Sequence, residues 1–413
     1  MKPEITAQVG LYVIDWKSEQ VTMRVDRLAE DSRFNVTAEV MITHGVTGHL
    51  HGPARLNLTS TTSRKTLSTT LRSRVNGIDW YAVVEEACVE ILLRYREVEP
   101  VIDLSELPPP TSEFSYRVRP LIREGQINMF YGAGGVGKSY LAAYLAVLVT
   151  APLSEAGLTA APGGVLYLDY ETDREDTQGR ILRLARGLGI PAPHVYYKQC
   201  RQPMAAETQE IQQIIANEGI DLLIIDSASM ATSGEVSETK PTKEFFAALR
   251  MLNRTSLIIA HTQKNSIEKT PLGSAMWTNQ PRQVFMIRST HEMVSTQQES
   301  RQLEIGIYDS KMNSRGHIKP LGFRFAFSDD DVRITAINIT DNPDLAKNLP
   351  IRDQVAGLLR HGNKLSVEHL AETLEIPQPT IRMVLNRHKD DFVRFGGAKD
   401  ALWALGTSRP MGS

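Results

Sequence analysis

Hydrophobic and polar positions follow three different patterns along the chain. Up to residue 58 they alternate. Residues 11–16 (LYVIDW), 21–25 (VTMRV), 35–42 (NVTAEVMI) and 54–58 (ARLNL) fit strands with one buried face. From residue 79 to about 96 the period is helical, with Asp79 suited to cap and Val83, Ala87, Ile91 and Leu92 on one side. From residue 126 the apolar runs become continuous: 126–131 (QINMFY), 164–170 (GVLYLDY), 221–225 (DLLII) and 256–260 (SLIIA). Helix-forming stretches at 140–149, 174–188 and 241–252 separate them, and 284–287 and 303–308 read as later strands. Continuous apolar strands alternating with helices predict an α/β domain, a mostly parallel sheet with helices on both faces. Beyond residue 350 the period is helical again. Residues 351–359 form a first helix. A second follows a Ser366 cap with Val367, Leu370, Ala371 and Leu374 on one face, and a third opens at Pro379 with Ile381, Val384 and Leu385 inward. Residues 392–395 and 401–405 then suit a hairpin.

These changes divide the chain into a β-rich accessory domain with a C-terminal helix (1–97), a linker (98–113), a core domain (114–345) and a small C-terminal domain (350–406). The linker contains LPPPTSE at 107–113, a stiff extended sequence. Residues 59–77 are rich in Ser and Thr and carry Arg64, Lys65, Arg72 and Arg74 with no acid among them. That stretch suits phosphate contact or a solvated polar loop or short helix. His49 and His51 have no further metal ligand nearby and read as ordinary strand residues.

Composition narrows the chemistry. The chain has 413 residues, 41% hydrophobic and 23% charged, ordinary values for a soluble protein of two or three domains. A net charge of −2 leaves nucleic-acid binding to local patches. Cys88 and Cys200 are too few for a disulfide scaffold or a metal finger and fit a reducing, cytoplasmic setting. No apolar run approaches a membrane span or a signal region, so no membrane partner is expected.

The strongest chemical signal is YGAGGVGKSY at 131–140. Gly132, Gly137, Lys138 and Ser139 fill the G-x-x-x-x-G-K-[ST] pattern between an apolar strand and a helix. Gly132, Gly134, Gly135 and Gly137 let successive backbone N–H groups turn toward one anion. Lys138 reaches the β- and γ-phosphates, the Ser139 hydroxyl suits Mg²⁺, and the helix start adds its positive end. The whole loop, Gly132, Gly134, Gly135, Val136, Gly137, Lys138, Ser139 and Tyr140, is thus a candidate ATP site. In such sheets ligands lie beyond the strands' carboxyl ends. Asp226 ends one apolar run and suits Mg²⁺, or a cap on the following turn. Glu171 ends another and suits the base that orients water for ATP hydrolysis. Asp169 and Asp173 compete for that role, and alternation would put Asp169 and Glu171 on one side of the strand. His261 and Gln263 follow a third run, where an amide can sense the γ-phosphate or serve a local turn. The polar stretches 228–240 and 264–281 are long for a compact domain. Lys264, Lys269 and the Gly273–Ser274 pair can contact a phosphate backbone.

Four blocks, GAGGVGKS (132–139), GVLYLDYE (164–171), DLLIIDS (221–227) and HTQK (261–264) followed by GSAMWTNQPRQVFMI (273–287), resemble the RecA-fold ATPases, within them the RepA-like branch of plasmid hexameric helicases and related phage and mobile-element ATPases. SKMNSRG at 310–316 is a weaker fifth block. The resemblance implies a RecA-like P-loop core, a homo-oligomeric ring, usually a hexamer, and ATP with Mg²⁺ between neighbours. Glu171 then matches the catalytic glutamate, residues 261–264 the sensor segment, Arg282 an arginine inserted toward a neighbour's γ-phosphate, and Lys311 a second cation acting in trans. Arg288 and Arg315 lie close enough in sequence to take the place of Arg282. The N-terminal hundred residues depart from the minimal helicase.

The C-terminal pattern suits a winged helix-turn-helix. Its third helix would turn Arg382, Asn386 and Arg387 toward a major groove, or the module would pack on protein. The expectation is an ATP-driven DNA motor, a replicative helicase of a plasmid, phage or mobile element, passing single-stranded DNA through its ring and holding duplex at the winged helix. The rival readings are an ATP-dependent regulator or loader that does not unwind, a signalling or defence ATPase and, more remotely, a small-molecule kinase.

Overall fold

The computed structural model describes residues 3–8, 10–97, 102–108, 114–262, 275–290, 301–312, 318–397 and 401–406. The chain separates into two compact units, residues 1–113 with 206–220, and residues 114–205 with 221–413.

In the first unit β1 (Glu4–Gln8), β2 (Leu11–Trp16), β3 (Val21–Glu30), β4 (Val36–His44) and β5 (Gly48–Asn57) pair antiparallel in chain order. Alternation buries one face: Ile14 and Trp16, Val21, Met23 and Val25, then Val36, Ala38, Val40 and Ile42. That face shares a core with α1 (Thr61–Arg74) and α2 (Trp80–Tyr95). Helix α1 replaces the expected polar loop or short helix with a full 14 residues. Ser60 accepts a bond from Ser63 N at 3.2 Å, a cap that contributes about 1 kcal/mol. Leu67 and Leu71 are buried, and the Arg64 guanidinium lies 3.1 Å from Glu85 of α2, so an acid distant in sequence offsets one of the basic charges. Asp79 caps α2, as expected, by accepting from Ala82 N at 3.2 Å. Burial pushes the Cys88 thiol up to about 12, which leaves it unreactive. Residues 206–220 belong to this unit, and Gln209 Nε2 donates to the carbonyl of Leu28 at 3.0 Å.

The second unit begins with β6 (Tyr116–Arg119) and β7 (Ile122–Arg123), which join β9 (Ser154–Glu155) and β10 (Leu158–Ala160) in a small sheet. The main sheet uses β8 (Ile127–Gly132), β11 (Gly164–Asp169), β12 (Val195–Gln199), β13 (Ile220–Asp226), β14 (Thr255–His261), β15 (Gln283–Ser289), β16 (Arg301–Met312), β17 (Leu321–Phe327) and β18 (Val332–Ile337). Their order is β12-β11-β13-β14-β8-β15-β16-β17-β18. Strands β12 and β11 pair in parallel, as do β13, β14, β8 and β15, whereas β16, β17 and β18 run antiparallel. The sheet is therefore mostly parallel, as expected, with three antiparallel strands added along one side. The antiparallel side is joined by hairpin-type pairing, and its strands β17 and β18 alternate buried and exposed residues instead of forming apolar runs.

Central strands are buried on both sides. Leu222, Ile224, Leu257 and Ile259 pack with α3 (Lys138–Thr150), and Leu223, Ile225, Ile258 and Ala260 are buried on the opposite face. Helix α3 is itself sealed, every residue from Leu141 to Val149 having no exposed surface. The remaining helices of this unit are α4 (Arg174–Gly187), α6 (Ala228–Ala231), α7 (Thr239–Leu252) and α8 (Ala275–Asn279), whereas α5 (Met204–Glu218) falls almost wholly within the 206–220 segment of the first unit. Helix α6 and the first two residues of α7 bound the stretch read from sequence as the loop 228–240, leaving 232–238 between them.

After α9 (Pro343–Ala346) come α10 (Ile351–Leu358), β19 (Leu365–Ser366), α11 (Val367–Leu374), α12 (Gln378–Arg387), β20 (Phe392–Phe395) and β21 (Leu402–Leu405), the strands forming an antiparallel sheet of order β19-β21-β20. Val355, Leu370, Ile381, Leu385, Phe392 and Trp403 make its core. Ser366 caps α11 through His369 N at 3.1 Å, and Arg382, Asn386 and Arg387 are exposed on α12. Among the described residues no helix is long and apolar enough to cross a membrane.

Candidate functional site

The parallel strands bring the ends of β8, β11, β13 and β14 to one edge of the main sheet. His261 pairs with Gly132 in register, and Tyr170 N donates to the carbonyl of Asp226 at 2.7 Å. The four glycines of the loop after β8 have different reasons to be there. Gly135 and Gly137 take φ values of +74° and +87°, which disfavour other residues. A Cβ at Gly132 would fall 2.4 Å from the carbonyl oxygen of Ile287. At Gly134 a Cβ would meet nothing within 4 Å, so steric need does not explain that glycine. Val136 packs into the core.

Lys138 opens α3 and is 5% exposed. Its Nζ donates to the carbonyls of Gly132 at 3.0 Å and Ala133 at 2.7 Å, so the side chain folds back over its own loop. Burial brings its pKa down to about 8, against the opposing pull of the Asp226 and Glu171 charges. Ser139 hydrogen-bonds Asp226, which also accepts from Tyr167 Oη at 2.6 Å. Asp226 is 5% exposed, and burial raises its pKa despite those two bonds. A buried carboxylate joined to a hydroxyl is a hard oxygen pair that suits Mg²⁺. Among the described residues no group of three His, Cys, Asp or Glu is placed to hold a metal. A phosphate-loop Mg²⁺ does not need one, because the nucleotide and water supply the other oxygens.

The three acidic candidates near β11 separate cleanly. Asp169 ends the strand, 1% exposed, and accepts from Glu171 N at 3.0 Å, Thr172 N at 2.8 Å, Thr172 Oγ1 at 2.7 Å and Thr177 Oγ1 at 2.9 Å. Burial works to raise its pKa, but the bonds from Thr172, Glu171 and Thr177 hold it below the usual carboxylate range. Asp173 caps α4 through Asp176 N at 2.9 Å. Both are engaged in building the turn. Glu171 lies in the bend between them, exposed, with Oε2 3.5 Å from Nε2 of His261. Its placement comes from that bend, since the strand stops at Asp169; the alternation argument does not apply, a correction to the sequence reading.

The remaining predicted residues scatter. Gln263, Lys264, Lys269, Gly273, Ser274 and Arg315 lie outside the described residues. The Tyr140 ring stands 5.0 Å from Phe327 and 6.5 Å from Phe325, edge-on to both. Arg282 is exposed, and its backbone N donates to the carbonyl of Ile127 at 2.8 Å. It therefore sits where β8 begins, roughly 17 Å of strand from the loop where β8 ends. Arg288, by contrast, follows Met286, which pairs with Tyr131 at the loop end. Lys311 donates to the carbonyls of Thr278 at 2.8 Å, Asn279 at 2.9 Å and Pro281 at 3.1 Å. Its three N–H groups are all spent on its own chain, so it braces the segment leading to Arg282. Sequence reasoning missed Arg180 on α4, whose guanidinium lies 5.8 Å from the Tyr140 ring centre and whose Nη1 is buried without a hydrogen-bond partner. An arginine amid a surface-helix pattern gives no sequence signal of this.

Residues 94–266 match the family model described as AAA domain, and the mixed α/β sheet with its phosphate loop agrees with a P-loop ATPase domain there. Comparison with curated proteins gives no match. Tyr131–Tyr140, Glu171 and Asp226 fall inside the matched range; Arg282, Lys311 and the C-terminal helices fall beyond it.

Proposed function

We propose that the chain is an ATP-hydrolysing, DNA-binding oligomeric motor, a replicative-type helicase of a plasmid, phage or mobile element. The observation that carries this reading is a division of charge across one sheet. Lys138, Ser139, Asp226 and Glu171 converge at one edge, while Arg282 is stationed at the other. One chain then offers a nucleotide site on one side and a cation for someone else's nucleotide on the other, as a ring of copies requires.

Each residue has a physical task. The backbone N–H groups of 132–137 and the start of α3 receive the phosphates. Lys138 exchanges the carbonyls of Gly132 and Ala133 for phosphate oxygens. Ser139 and Asp226 would hold Mg²⁺, which would supply positive charge to the phosphates. Glu171 orients and polarises the attacking water, and His261 at 3.5 Å fixes the direction of its carboxylate. Arg282 of an adjoining copy stabilises charge developing on the γ-phosphate.

The DNA part rests on α12. Its exposed Arg382, Asn386 and Arg387, with the small sheet behind, suit a winged helix-turn-helix in a major groove. Lys264 and Lys269 are proposed to meet single-stranded DNA within a hexameric ring. The proposed domains are 1–97, 114–345 and 350–406, joined by the 98–113 linker.

Single-stranded DNA should raise ATP turnover of the wild type and leave Lys138→Ala inactive. A wild type without hydrolysis sinks the reading. Hydrolysis with duplex binding but no strand displacement moves the assignment to a regulator or loader.

A further inference from the structure

The N-terminal unit carries a groove of about 760 Å³, within the volume range of ligand sites, roughly 300–1,000 Å³. Its walls include Thr62, Lys65, Thr66, Thr69 and Ser73 of α1, with Tyr81 from the start of α2. The α1 residues recur every three or four positions, so one solvent-facing side of the helix forms the wall. No Asp or Glu lines the groove, and α1 contains none. The four basic residues of α1 are spent differently. Arg64 is buried against Glu85, and Arg74 donates to the carbonyl of Leu50. Lys65 and Arg72 are both exposed, seven residues apart and hence on the same side of the helix. Among the described residues neither has an ion-pair partner. Tyr81 leaves 49% of its surface in solvent. The hydroxyls of Thr69 and Ser73 donate to the carbonyls of Lys65 at 3.0 Å and Thr70 at 2.7 Å, which leaves their oxygens facing out as acceptors.

A helix face that meets only water is built from strong helix formers with charges of both signs. Here Thr and Ser cost helix stability, and the cations have no acid to balance them. A single nucleic-acid strand supplies what this face lacks: a row of negative charge and unstacked bases that can lie on an aromatic ring. In a duplex the bases are already stacked and the ring has nothing to receive. We propose that the α1 groove binds a single-stranded nucleic acid, with Lys65 and Arg72 on its phosphates and Tyr81 on a base. This site is separate from those proposed on α12 and at Lys264 and Lys269, and it does not require ATP hydrolysis.

The test uses the full chain without nucleotide, so it stands whether or not the ATPase reading does. An oligothymidylate carrying 5-iodouracil should photocross-link to the peptide that contains Tyr81. In fluorescence anisotropy with the same strand, Lys65→Ala/Arg72→Ala should weaken binding about tenfold. It should also flatten the slope of log affinity against log salt by about 1.4, roughly 0.7 for each lost phosphate contact. Tyr81→Leu should weaken binding about fivefold or more and leave that slope unchanged. It should not alter the affinity for a duplex of the same length. If the Ala pair does not fold, Lys65→Gln/Arg72→Gln is read in the same way. Cross-links confined to other peptides, or wild-type affinity and slope in the double variant, overturn the proposal. Equal losses of duplex and single strand on Tyr81→Leu overturn its single-strand assignment.

Discussion

Glu171→Gln is expected to cut ATP turnover by roughly 10²- to 10⁴-fold while ATP still binds. The amide keeps the shape of the side chain and removes the charge that polarises water. No neighbour can stand in. Asp169 is buried under bonds from Thr172, Thr177 and Glu171 N, and Asp173 is spent on the cap of α4. On the proposed reading, binding is carried by the loop, Lys138 and Ser139, which the change does not touch. Single-turnover hydrolysis together with equilibrium binding of a fluorescent ATP analogue separates the two effects. Turnover within a few-fold of wild type would transfer the base to another group.

Arg282→Ala is expected to cost roughly 10³- to 10⁵-fold in kcat if it serves as the trans cation, again with binding retained. Arg282 N is bonded to Ile127 at the start of β8, and the loop begins at the far end of that strand. Lys311 donates to the carbonyls of 278, 279 and 281 and so braces the backbone that presents Arg282. Arg288 lies on β15, near the loop end of β8, so comparing Arg288→Ala with Arg282→Ala by steady-state kinetics decides which arginine does this work. A small effect of Arg282→Ala would contradict the assignment.

Much of the sheet edge around the Gly132–Tyr140 loop was legible in the sequence, because each signal there is local. A glycine loop between an apolar strand and a helix, and apolar strands ending in Glu or Asp, are read within a dozen residues. What was not legible depends on distant partners. Helix α1 is made of Ser and Thr, poor helix formers, and holds through Leu67, Leu71 and the Arg64–Glu85 pair. Residues 204–218 form a helix whose apolar positions are few and spaced among Gln and Glu, a weaker signal than the continuous apolar runs on either side. The antiparallel strands β17 and β18 alternate too softly to stand out beside the buried runs. Asp169, Asp173 and Glu171 look equivalent on paper; only the bend after β11 gives two of them structural work and leaves the third exposed. Lys311 and Arg282 resemble a pair of cations in sequence, whereas in space one holds the backbone that presents the other.

The measurement closest to the centre of this account is specific ATP turnover as a function of protein concentration, with particle mass recorded on the same samples. If a neighbour's arginine completes each site, turnover per chain should fall steeply on dilution, in step with the loss of assembled particles. Undiminished turnover per chain at concentrations where only monomers are weighed would contradict it.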